Sequence, residues 1–194
     1  MQFFQNYFNE IKNSIFALDS KKINLVILEL KKLRKRSGRL FIIGIGGSAA
    51  NASHAVNDFR KLCMINAISP VDNISEITAR TNDDGFENIF FDSLKVSNIN
   101  KQDLLLIFSV GGGNLKKNIS VNIINAIKLA KKKKLKIISI IGKKDGYAFE
   151  NSDICLLINI KDKKFITPIS ESMQSIIWHY FVSHPLLQIK KTKW

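Results

Sequence analysis

Apolar positions recur every three or four residues at the start of the chain. Between residues 3 and 18 they are Phe4, Tyr7, Phe8, Ile11 and Ile15; between 21 and 33 they are Ile23, Val26, Ile27, Leu30 and Leu33. That spacing puts each set on one helical face and predicts two amphipathic helices. Ser37-Gly38 ends the second. The period then changes. Leu40–Ile43, Leu104–Phe108, Ile137–Ile141 and Ile154–Ile158 are short apolar runs, the pattern of strands buried on both faces. Asn66–Ser69 offers a shorter fifth strand. Helical patterns fall between them, at 49–62, in part of 85–97, at 115–133 and at 168–182. Strands alternating with helices predict an α/β fold with a doubly wound parallel sheet and right-handed crossovers. We expect a single domain over 1–194, with two N-terminal helices in 1–37 and the α/β core in 38–194.

Composition narrows the class. The 194 residues are 45% hydrophobic, yet no run reaches the ~20 apolar residues of a membrane span. The first residues, Met1-Gln2-Phe3-Phe4, lack the basic start and apolar centre of a secretion signal. A soluble, cytoplasmic protein without a membrane partner is expected. Cys63 and Cys155 sit apart in apolar surroundings and read as buried thiols, not as a disulfide framework or metal clip. The formal net charge is +14, with basic clusters at Lys31–Arg36, at Lys131–Lys134 and at Lys190, Lys191 and Lys193. Such clusters suit a phosphate backbone, but no nucleic-acid motif accompanies them. Solvated helix ends explain them as well, because cations complement the helix dipole there. A nucleic-acid partner is therefore not expected; a polyanionic substrate fits the charge too.

In doubly wound sheets ligands bind beyond the carboxyl ends of the strands. Two glycine-rich loops fall there. Gly44-Ile45-Gly46-Gly47-Ser48 follows the first strand, and Ser109-Val110-Gly111-Gly112-Gly113-Asn114 follows the second core run. Glycines let backbone N–H groups approach an anion, and the helix that follows adds its positive end. Ser48 could cap that helix or give its hydroxyl to a phosphate, and Asn114 is a good N-cap. Either loop alone could be a bare turn; the pair suggests an anion cradle. Gly142–Gly146, after the next strand, reads as an ordinary turn.

Ionisable groups gather on two predicted helices. His54 and Asp58 are four apart, on one face. Glu171 and His179 lie on the last helix, about 12 Å apart along its axis, so their side chains could meet an atom between them. Asn82 and Asp83 sit in a polar loop, Thr81–Gly85, where Asp83 could hold sugar hydroxyls or simply form a turn.

These residues resemble the phosphoheptose isomerases, which are built on the sugar isomerase (SIS) domain. Gly44–His54 is similar to their GNGGSAADAQH segment, and Asn82–Phe86 to their NDYGF. Ser109–Asn114 lies where they carry STSGNS, and Glu171–His179 has the spacing of their QEVHILIIH helix. The resemblance implies a flavodoxin-like sandwich and a homotetramer with active sites at subunit interfaces. It implies one zinc per active site, held by His54, Asp58, Glu171 and His179. Gly46, Gly47, Ser48, Ser109, Gly111, Gly112 and Asn114 would then bind the phosphate, with Asn82, Asp83 and Glu171 toward the sugar. Asp58 and His179 would be the catalytic base and acid. The reaction implied turns sedoheptulose 7-phosphate into D-glycero-D-manno-heptose 7-phosphate, for nucleotide-activated heptose in lipopolysaccharide or capsule. This chain departs in three ways. The family's Glu is Asp58, its Gln ligand is Glu171, and its hydroxyl-rich loop has become Val110, Gly111 and Gly113. A non-catalytic SIS module that binds a sugar phosphate or a partner protein is the alternative.

Overall fold

The computed structural model describes residues 1–192. Two helices open it, α1 (Gln2–Phe16) and α2 (Ser20–Lys35). The sheet follows, with β1 (Arg39–Ile43), α3 (Gly47–Cys63), β2 (Asn66–Ile68), α4 (Ile74–Asp84), α5 (Ile89–Val96), β3 (Leu104–Ser109), α6 (Val121–Lys132), β4 (Lys136–Ile141), α7 (Tyr147–Asn151), β5 (Ile154–Leu157) and α8 (Ile166–Ser183). All neighbouring strands pair in parallel, in the order β2-β1-β3-β4-β5. That is the flavodoxin-like doubly wound order, whose switch point lies between β1 and β3.

Both faces of the sheet are covered, so its strands are apolar throughout. One core joins Leu40, Ile42, Leu106 and Ile140 to α2, α3 and α8. The other joins Phe41, Ile43, Leu105 and Ile137 to α5, α6 and α7. Alternate residues of each strand therefore enter opposite layers. Trp178 and Phe181 of α8 are fully buried against α3 and the sheet. Cys63 and Cys155 are free and buried, as expected. Burial pushes the Cys63 thiol up to about 11, which keeps it protonated and unreactive near neutral pH. No helix among the described residues is long and apolar enough to cross a membrane. Lys193 lies outside the described residues.

Two expectations are corrected. The polar stretch holding Asn82 and Asp83 is the last turn of α4, not a loop. The side chain of Asn73 caps that helix by accepting from the N–H groups of Ser75 and Glu76. Asn114 does not cap α6. Its backbone pairs with Ile119 and its side chain accepts from the Lys117 N–H at 3.0 Å. This closed turn delays the helix to Val121, with Ser120 at its N-cap.

Candidate active site

The first glycine loop is a conformational necessity. Gly46 has φ of 62° and is the N-cap of α3, a backbone state that an L side chain adopts only with strain. Gly47 lies against the Glu171 carboxylate, which would have to swing aside for a side chain there. The N–H groups of Gly47 and Ser48 stand in the first turn of α3, where a helix has no internal acceptors for them. They remain for a ligand, at the positive end of a seventeen-residue helix. Ser48 itself is turned inward. Its hydroxyl donates to Gln174 Oε1 of α8 at 2.9 Å and it is buried, so it neither caps α3 nor faces the crevice.

The second loop is held from beneath. Ser109 Oγ accepts from the Gly112 N–H at 2.9 Å. The N–H groups of Tyr147 and Ala148, in the first turn of α7, donate to the carbonyls of Gly113 and Gly112. Gly112 and Gly113 have φ of 72° and 83°; Ala148 of α7 stands against Gly112, and Ile124 of α6 against Gly113. Gly142–Gly146 thus builds the loop before it. Only Gly111, like Gly46, has open space where a side chain would stand. Around these strand ends lie a largely apolar cavity of about 430 Å³ bordered by Gly44, Gly46, Ser53 and Phe86 and a more polar one of about 430 Å³ reached by Ile45, Asn118 and Asn122.

Helices α3 and α8 pack together through polar contacts. Asn51 Nδ2 donates to the Glu171 carbonyl at 2.9 Å, beside the Ser48–Gln174 bond. Higher along the pair, His54, Asp58 and His179 converge, one ligating atom of each lying within 4.8 Å of the others. His54 Nε2 is 3.9 Å from Asp58 Oδ2. The His54 and His179 rings lie edge to face at 5.4 Å, and each packs on buried Trp178. His179 Nδ1 is 2.8 Å from the Ser175 carbonyl. A carbonyl only accepts, so Nδ1 carries the proton and Nε2 is left for a metal or a proton. The cluster is open to solvent, with the His54 side chain 58% exposed.

The donor set of two imidazoles and a carboxylate suits zinc. Three of the four expected ligands meet here. Glu171 stands two helical turns from His179, over Gly47, and is not in the cluster. Asn82 and Asp83 bond to one another on the exposed end of α4 and line neither cavity. His184 accepts the Leu186 N–H beyond the end of α8 and is not in the cluster. Sequence reasoning missed Gln174, Asn51 and Trp178, which join the two helices. Gln174 carried a signal, being an amide in the apolar register of Met173 and Ile177 and fully buried.

The switch-point crevice, the helix start edged by glycine and the His–Asp–His cluster belong to a doubly wound α/β domain with an open end suited to an anion. The SIS domain family model matches residues 3–142, and the chain belongs to that family. Its relatives include the phosphoheptose isomerase of Helicobacter pylori (strain P12), 28% identical over 174 residues, 87% of this chain and 84% of that protein. Lincomycin biosynthesis protein LmbN of Streptomyces lincolnensis is 28% identical over 148 residues. That match takes in 73% of this chain but only 54%, about half, of LmbN. The structure of a phosphoheptose isomerase from Francisella tularensis superposes with a TM-score of 0.79 at 21% identity, covering 93% of this chain and 92% of that one.

Proposed function

We propose that the protein is an aldose–ketose isomerase of sugar phosphates, acting on sedoheptulose 7-phosphate to give D-glycero-D-manno-heptose 7-phosphate. The product would feed heptose-containing surface glycans from the cytoplasm. The observation that carries this reading is the pairing of an anion-binding helix start with a proton-handling cluster farther along the same helix. Seven residues separate Gly47 from His54, about 10 Å along the axis. That is the scale of an extended sugar phosphate with its phosphate at one end and its carbonyl at the other. The N–H groups of Gly47, Ser48 and Gly111 and the Ser109 hydroxyl would hold the phosphate. The Asp58 carboxylate would take the proton from the carbon beside the carbonyl. His179 Nε2 would pass a proton between the two oxygens of the enediol. Zinc would be held by His54, Asp58 and His179 and would polarise the carbonyl oxygen, with Asp58 and His179 releasing it while they move protons; Glu171, over Gly47, stands outside this set. The relatives at 28% identity support the reaction class. The direct experiment is conversion of sedoheptulose 7-phosphate with and without zinc.

The open cluster and the outer face of α1 both suit assembly. Phe3, Phe4, Phe8 and Phe16 are exposed on α1, as are Ile176 and Tyr180 on α8. An apolar surface of this extent ordinarily marks an interface. We expect a homotetramer with the active sites at subunit boundaries. Light scattering at micromolar concentration should give the tetramer mass; a stable monomer would reject the assembly.

A further inference from the structure

The topology turns two distant basic runs into one surface. α2 ends at Lys35 just before β1, and α6 ends at Lys132 just before β4. Both therefore end at the pole where strands begin, opposite the glycine loops. They also lie on opposite faces of the sheet, since α2 packs in one core and α6 in the other. Lys31, Lys32 and Lys35 form one exposed row and Lys131, Lys132, Lys133 and Lys134 another. Two layer spacings, roughly 20 Å, separate them. Exposed Lys101, at the entry to β3, lies between. Acidic groups do little to offset this charge. Asp103 is buried and paired with Arg39, Asp153 lies 3.4 Å from Lys136, and Glu29 is paired with Lys32. Glu150 borders a cavity with Lys131 and Lys134. Asp72, Asp84, Glu87, Asp145, Asp162 and Glu171 instead sit in the loops and helix ends of the opposite end. The net charge of +14 is thus carried largely by one pole. Solvated helix ends account for each run separately, but not for an end of the molecule with so little opposing charge.

We propose that this pole is an interaction surface for the phosphate backbone of double-stranded nucleic acid, separate from the sugar-phosphate site. Two lysine rows roughly 20 Å apart can engage phosphates on both sides of a duplex. A membrane fits less well, because interfacial binding uses an amphipathic helix lying flat, and here the helices meet the pole end-on. Binding would be sequence-independent and steeply salt-dependent.

The test is titration of the whole protein with a mixed-sequence DNA duplex of about 20 base pairs, over about 50 to 200 mM salt. With roughly six phosphates neutralised, log K against log salt should have a slope of about −5. Replacing Lys131, Lys132, Lys133 and Lys134 together by Gln should flatten that slope by about 3 and leave sugar-phosphate affinity unchanged. Replacing Lys143, Lys144, Lys163 and Lys164 by Gln, at the opposite end, should alter it by less than about 1. Absence of duplex binding at the lowest salt would overturn the proposal. So would equal effects of the two quadruple variants, or binding to phosphatidylglycerol vesicles with the same dependence on the pole lysines.

Discussion

Replacing His179 by Gln is expected to lower turnover at least about 100-fold while sugar-phosphate affinity stays within a few fold. A positioned acid or base contributes about 10²- to 10⁴-fold, and Gln cannot transfer a proton at Nε2. Binding should survive because the phosphate would be held about 10 Å away, at the start of α3. The fold should survive as well, because His179 is exposed and its ring packs on the outside of Trp178. Asp58→Asn should behave in the same way. Asp58→Glu should keep activity, since it places the carboxylate on the longer side chain that the resembling isomerases use. Steady-state rates and calorimetric titration of the three variants separate turnover from binding. Near-normal rates in both His179→Gln and Asp58→Asn would reject the mechanism and favour a binding module.

Asp103→Ala is expected to cost about 3–5 kcal/mol of stability, as breaking a buried ion pair does. The Asp103 side chain is 2% exposed and accepts four hydrogen bonds. Three come from Arg39, through its backbone N–H, Nε and Nη2, and one from the Asn100 N–H. They tie the entry of β1 to that of β3, at the centre of the sheet. Removal would leave the guanidinium without its counter-charge and two backbone donors unpaired. The urea midpoint should fall with little change in slope; a loss under about 1 kcal/mol would class the contact with surface pairs. The same group predicts a pH dependence. Burial alone would raise the Asp103 pKa, but the Arg39 side chain, the N–H groups of Arg39 and Asn100 and the Arg39 charge outweigh it and hold it below the usual carboxylate range. Its contribution is therefore complete above roughly pH 4, the unfolded value, and is lost as pH falls through the lower folded value. Asp103→Asn should remove that part of the acid dependence.

The sheet was legible because its strands are buried on both faces, so Leu40–Ile43 and Leu104–Phe108 stand out as unbroken apolar runs. The helix α4 was not, because it buries no residue and has no apolar stripe to read. Its one legible sign was local, the Asn73 cap followed by Glu76. In the site, the spacing of His54 and Asp58 was enough to place them on one face, and a distant His179 joined them. The role of Ser48 was not legible. Whether a hydroxyl two residues into a helix faces a ligand or a neighbour depends on what packs behind it, and here that is Gln174. The three glycines at 111–113 showed that something comes close but not what; for Gly112 it is Ala148 of α7 and for Gly113 it is Ile124 of α6. The lysine runs were plain in the chain, but only the crossover topology puts them at one pole.

The central claim is proton transfer on a sugar phosphate, and the product formed from sedoheptulose 7-phosphate in heavy water tests it most directly. Zinc-loaded protein should form the aldose, and proton NMR should find deuterium at the carbon next to its aldehyde, because the proposed base Asp58 would exchange the abstracted proton with solvent. Chelation should cut the rate at least about 100-fold, and added zinc should restore it. Tight binding of the sugar phosphate with no aldose formed, with or without zinc, would contradict the claim.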